Sequence, residues 1–236
     1  YLINKNCRDE MSTEQEGLAM HIKFDNKIVK DYISGKEIYV EDSLIDNKAD
    51  LFEDSFLPRK IHQDNVLCLK DKSLNLGKLK NLSFNKGFTF SFWMKAKSYE
   101  EMKADTTRHP IIRFGNFKIA IKENKLVIYN NNNLLLSIEL YIASLCSEGY
   151  NLYTFTVSDD DLPVISHISF DKIITTKVNA SAWIDFNLSD YDCVFGNNDT
   201  TFYSDMYNIA DFKIFNRILS DDEILSIFHK RNYYQK

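Results

Sequence analysis

The side chains able to do chemistry are plentiful in this chain, but their spacing suits little of it. Acidic residues cluster at Glu41-Asp42, Asp159-Asp160-Asp161 and Asp221-Asp222. Hydrolysis of a glycosidic bond needs two carboxyl groups held ~5 to 9.5 Å apart across a groove. A strand supplies such a pair when acids alternate, as in Glu-x-Asp-x-Glu, and no run of that kind occurs. Neighbouring acids point apart, so the three clusters read as solvated turns and a helix start. His21, His62, His109, His167 and His229 are scattered, and no Gly-x-Ser-x-Gly elbow accompanies them. Phosphate-cradling GxGxxG or Gly-rich Lys loops are also missing from the sequence. The chain therefore reads as a non-enzyme without a cofactor, and glycoside hydrolysis ranks last among its readings.

Cys7, Cys68, Cys146 and Cys193 are widely spaced and form no CxxC or Cys/His cluster, which argues against zinc. Their even number fits two disulfides in an oxidising compartment, in any of three connectivities, with four buried thiols as the alternative. Disulfides are the favoured expectation. Sequons begin at Asn81, Asn179, Asn187 and Asn198, but a chain this rich in Asn produces several by chance.

The elements that must position these residues are mostly strands. From Gly17 onward, short apolar stretches alternate with polar or Asn-rich breaks at intervals of roughly ten residues, the pattern of a sandwich or jelly roll. Phe88, Phe90, Phe92 and Met94 alternate with Thr89, Ser91 and Trp93, which predicts a central strand with substantial side chains on both faces. Similar alternation runs through Phe117, Ile119 and Ile121, then Leu126 and Ile128, Tyr153, Phe155 and Val157, and Phe212 and Ile214. Ser220 with Glu223 predicts a capping box, and Ile224, Leu225, Ile227 and Phe228 give the short helix behind it one apolar stripe. Residues 1–16 show neither period and read as an N-terminal arm. Without a linker-like composition shift, residues 17–236 read as one domain.

At 236 residues, with 44% hydrophobic and 27% charged side chains, the chain can bury a core. Its formal net charge of -5 disfavours nucleic acid, whose backbone is gripped by clustered Lys and Arg. The longest apolar run, Leu134 to Cys146, is broken by Glu139 and falls short of the ~20 residues needed to span a bilayer, so no membrane insertion is expected. The sequence begins at Tyr1 with neither an initiator Met nor a leader and reads as a segment of something larger.

Taken in order, several segments resemble the laminin-G-like domains of the concanavalin A-like lectin/glucanase superfamily. The match runs through residues 17–25 (GLAMHIKFD), the Asp31-Tyr32-Ile33-Ser34-Gly35-Lys36 turn, Val66 to Asp71, the Phe88–Met94 strand, and Ala210 to Ile224 with its Asn216-Arg217 turn. The receptor-binding segment of clostridial neurotoxins contains a jelly roll of this kind, with a comparable Ser-Phe-Trp strand and terminal helix. The resemblance implies an all-β, two-sheet antiparallel jelly-roll sandwich with one short C-terminal helix. It also implies a rim calcium site in many relatives, for which Asp31 and Asp211 are the weak candidates here, since Ala210 replaces a common acidic ligand and calcium seeks six to eight oxygens.

The function expected is recognition or adhesion, within a larger secreted or cell-surface protein, of a protein or glycan partner. A rigid β scaffold carries such contacts on its loops, here residues 130–133, 159–163 and 197–208. Asn197, Asn198, Tyr203, Tyr207 and Asn208 are the ligand-binding candidates, with Tyr191, Tyr233 and Tyr234 as further exposed aromatics. A domain that orders neighbouring domains or assembly partners is the alternative.

Overall fold

The computed structural model describes residues 16–25, 27–40, 45–54, 60–69, 73–79, 82, 87–96, 108–123, 125–130, 133–139, 151–157, 163–169, 172–177, 188–196 and 207–230. They form two antiparallel sheets packed face to face, with one α-helix. The larger sheet runs in spatial order β14 (Lys172–Lys177), β13 (Pro163–Ser169), β12 (Asn151–Val157), β7 (Phe88–Ala96), β16 (Tyr207–Phe215), β1 (Leu18–Asp25), β2 (Ile28–Asp31) and β3 (Glu37–Tyr39). A hairpin of β4 (Ile45–Asp54) and β5 (Lys60–Leu67) joins it where Leu67 pairs with Ile209 of β16. The smaller sheet runs β11 (Asn133–Glu139), β10 (Lys125–Asn130), β9 (Phe117–Lys122), β8 (Arg108–Phe114), β15 (Asp192–Phe195) and β6 (Leu74–Lys78).

Strand alternation builds the interior. Phe88, Phe90, Phe92 and Met94 point inward from β7, where they meet Phe117, Ile119 and Ile121 of β9 and Leu126 and Ile128 of β10 in one buried cluster. On the opposite face of β7, Thr89, Ser91 and Trp93 are buried as well, so the strand is covered on both sides as its sequence predicts. Trp93, Leu152, Phe215 and Leu219 form an outer cluster with Ile224 and Ile227 of α1 (Asp221–Lys230). The apolar stripe of α1 is thus what covers the centre of the large sheet from outside.

The start of α1 carries the capping box foreseen in the sequence. Glu223 N–H donates to Ser220 Oγ at 3.3 Å, and Ser220 N–H donates back to Glu223 Oε2 at 2.8 Å. Arg217 grips the same carboxylate with both terminal nitrogens, at 3.0 and 2.7 Å, and its Nε donates to the Glu16 carbonyl. The guanidinium therefore ties the entry of β1 to the helix start. Gly17, at φ +72°, lies beneath it, where an added Cβ would fall 2.9 Å from Arg217 Cγ.

The hydrogen bonds from Arg217 hold the Glu223 carboxyl below the ordinary glutamate pKa. A depressed carboxyl stabilises the fold above its unfolded value and loses that contribution as pH falls through its folded value. Glu223→Ala is expected to cost about 1 kcal/mol at pH 7, the usual worth of a helix cap. Urea denaturation of both proteins should show the difference shrinking in acid; an equal gap at pH 7 and pH 3 would contradict the assignment.

Candidate functional site

The most organised polar structure among the described residues lies where β1, β2 and β16 meet. It begins with Asp31, the last residue of β2. Its Oδ1 accepts from the backbone N–H groups of His21 (3.0 Å) and Ile33 (3.1 Å), and its Oδ2 accepts from Ser34 N–H (3.1 Å) and Ser34 Oγ (2.6 Å). Tyr32 N–H donates to the His21 carbonyl at 2.8 Å, and Gly35 N–H to the Asp31 carbonyl at 2.8 Å. An Asp-x-x-Ser spacing lets one short carboxylate bond the turn that follows it. Asp31 is 1% exposed, so its carboxylate accepts these bonds while largely shielded from water.

Asp211 lies on β16 across β1. It has φ +50° at the bulge where the β16–β7 register shifts between Ala210 and Lys213. The bulge aims Phe212 into the core while the buried Asp211 carboxylate receives His21 Nε2 at 2.6 Å and Lys213 Nζ at 3.2 Å. A carboxylate only accepts, so His21 Nε2 carries the proton. Burial lowers the His21 pKa, and the hydrogen bond to Asp211 partly opposes that. His21 thereby joins the two acids, its main chain to Asp31 and its ring to Asp211.

The resemblance to laminin-G-like domains made Asp31 and Asp211 calcium candidates; in the structure both carboxylates have protein partners. Four protein donors fill the oxygens of Asp31, and those of Asp211 face an imidazole N–H and an ammonium. A calcium ion needs these oxygens for itself and is repelled by Lys213. Ala210 is fully buried in the outer cluster with Trp93, where an acidic side chain would have no water.

What this frame presents to solvent is Tyr32. The residue is 48% exposed and Ile33 beside it 46%. The Tyr32 centroid lies 5.8 Å from that of His21, 5.5 Å from Lys30 Nζ and 5.9 Å from Lys23 Nζ. Lys23 and Lys30 are direct cross-strand partners, and Lys30 Nζ also meets Glu37 at 2.5 Å. The result is a half-exposed aromatic ring on a hydrogen-bonded turn, with two ammonium groups over it. A half-exposed tyrosine of this kind can anchor a sugar or a peptide.

The sequence candidates fare differently. Tyr207 opens β16 with 2% exposure, its hydroxyl donates to the Pro110 carbonyl, and burial pushes its phenol pKa up. It is a core residue and cannot present its ring to a ligand. Asn208, next on β16, is half-buried, while Asn197, Asn198 and Tyr203 lie outside the described residues. Tyr191 is 39% exposed and sits over Gly115. Among the described residues no disulfide is seen. Cys193 is a thiol inside the sandwich, where burial raises its pKa, and Cys68 packs against the outer cluster. Cys7 and Cys146 lie outside the described residues, as do residues 1–15 of the expected arm. Tyr32 was not singled out by sequence reasoning, although Lys23 and Lys30 on the solvent phase of their strands were legible signals.

No family model matches this chain, and no curated protein matches it. Solved structures do. The binding domain of Paraclostridial Mosquitocidal Protein 1 is similar over 92% of this chain and 53% of its own length, at 16% identity and a TM-score of 0.61. The botulinum neurotoxin serotype D ligand binding domain, solved with N-acetylneuraminic acid, matches over 94% and 52% at 17% identity and 0.60. The binding domain of botulinum neurotoxin DC, solved with rat synaptotagmin II, matches over 92% and 52% at 17% identity and 0.54. The likeness is one of fold. The chain spans about half the length of each of these proteins.

Proposed function

We propose that the chain is a non-catalytic recognition module of a larger secreted or cell-surface protein, binding a protein or glycan partner with Tyr32 as an anchor. The observation that carries this is Tyr32, half exposed on a turn tied down by the buried Asp31 carboxylate. An aromatic face costs little entropy to present when its backbone is already fixed. Asn197, Asn198, Tyr203 and Asn208 are a second contact set on the same scaffold. On this reading residues 17–236 are one laminin-G-like domain of the concanavalin A-like superfamily. The solved relatives include binding domains carrying a sialic acid and a synaptotagmin, which supports a glycan or protein partner over a reaction. The two buried carboxylates are already engaged by protein donors, which also speaks against hydrolysis.

The alternative, a domain that orders its neighbours in a longer polypeptide, is favoured by one fact: the relatives are about twice as long. Expression of the chain alone separates the two. A glycan array and a pull-down from cell-surface extracts, each with calcium and with chelator, should show binding that is unchanged by chelation. Binding only to assembly partners would favour the ordering role, and loss of binding on chelation would contradict the reading of Asp31 and Asp211.

A further inference from the structure

The edge of the small sheet carries a separate polar arrangement, built by β15 and the strands on either side of it. Asp192 opens β15 and reaches towards β6, where its Oδ2 accepts from Asn75 Nδ2 at 3.0 Å. The other end of the Asn75 amide is fixed by the backbone, since its Oδ1 accepts from Gly77 N–H at 2.6 Å. That contact decides which end of the amide carries the hydrogens. The bond to Asp192 uses one of the two amide hydrogens and one of the two carboxylate oxygens. A donor and an acceptor therefore stand side by side, and both residues are exposed. The β15–β6 register shifts between Cys193 and Val194, and such a bulge at a sheet edge re-aims the side chains beside it.

Towards β8 lies the ring of Tyr191, the residue before Asp192 and 39% exposed. Its N–H donates to the Leu188 carbonyl at 3.2 Å, which closes the short helical turn behind it. The ring rests on Gly115, in the turn between β8 and β9, where an added Cβ would fall 2.3 Å from Tyr191 Cδ1. Gly115 has φ +56°, so glycine both suits this backbone and leaves room for the ring. Because β8 and β6 flank β15, Gly115 and Asn75 stand roughly 10 Å apart, two interstrand spacings. Charge around these groups is balanced. Asp190 and Asp192 are exposed acids, Lys78 is the direct cross-strand partner of Asp192, and Lys36 Nζ lies over Gly77. A ligand of either sign gains little from such a surface.

We propose that Tyr191, Asp192 and Asn75 form a subsite for a neutral sugar of disaccharide size on a partner's glycan chain. A pyranose offers an apolar C–H face to the aromatic ring, and vicinal hydroxyls that each give and take a hydrogen bond at the Asn75–Asp192 pair. Groups already fixed by the protein need little ordering on binding. The subsite shares no residue with the Tyr32 surface, so either can stand without the other. The test is saturation-transfer NMR on the whole folded chain, with lactose, cellobiose, maltose and diacetylchitobiose as probes. Saturable transfer to at least one of them is expected. Tyr191→Ala and Asp192→Ala, each confirmed folded by its amide spectrum, should weaken binding roughly tenfold, while Tyr32→Ala should bind like the parent. No transfer to any of the four, equal binding by Tyr191→Ala, loss with Tyr32→Ala alone, or stronger transfer to a sulfated heparin disaccharide would each overturn the proposal. Capture of surface proteins that survives removal of their glycans, and is lost in Tyr191→Ala, would overturn it too by assigning the surface to a protein.

Discussion

Phe212→Ala should be the most damaging single change in the sandwich, at about 4 kcal/mol, the mid-range for deleting a buried phenyl ring. Phe212 is fully buried and stacks on Phe92 at 5.4 Å between centroids, while Phe195 meets it edge-on at 5.4 Å and Phe90 at 6.1 Å. Phe92 and Phe90 come from the large sheet and Phe195 from the small one, so this ring joins the two layers. Truncation loses the transfer free energy of the ring and leaves a cavity lined by rings with little freedom to collapse. Urea denaturation should show an earlier midpoint with an unchanged slope. A cost under ~1 kcal/mol would mean that Phe212 is not the inter-sheet contact described, since that is the range of surface changes.

Asp31→Ala is expected to cost about 3 kcal/mol. The substitution leaves the N–H groups of His21, Ile33 and Ser34 without their acceptor at a part-buried turn. Each orphaned donor carries its own desolvation cost, though relaxation of the turn recovers part of it. Asp31→Asn keeps one acceptor oxygen but turns an amide towards donors, so it should cost less than Ala and still be measurable. If both variants match the parent in chemical denaturation, the turn is held by something other than this carboxylate. If instead both lose stability only in calcium-containing buffer, a metal role returns.

Much of the fold was legible because the burial pattern repeats locally. The Phe88–Met94 alternation, the inward residues of β9 and β10, and the Ser220–Glu223 cap depend on neighbours within a few positions, and each appears as the sequence implies. Tyr207 was misread because it stands at the end of an Asn-rich tract, and the bulge after Ala210 interrupts the alternation that would have marked it as a strand residue. Asp31 and Asp211 drew notice for the right reason, as acids near one rim, but their partners were out of reach. His21 and Asp211 are 190 positions apart, and only the β1–β16 register brings them together. The same holds for Lys23 with Lys30 and for Asn75 with Asp192, which strand pairing brings together. The cysteines were legible only as a count. Parity and compartment carry no information about depth, and Cys193 lies on the inward phase of β15.

Recognition through an exposed tyrosine on a rigid turn is tested most directly by measuring Tyr32→Ala beside the parent on the same glycan and cell-surface targets, with both proteins confirmed folded. The Tyr32 side chain is only half-buried, so the change should move stability by no more than about 0.5 kcal/mol. Loss of an aromatic anchor should weaken binding about tenfold to a hundredfold. Equal affinity of the two proteins for every target that the parent binds would contradict the account.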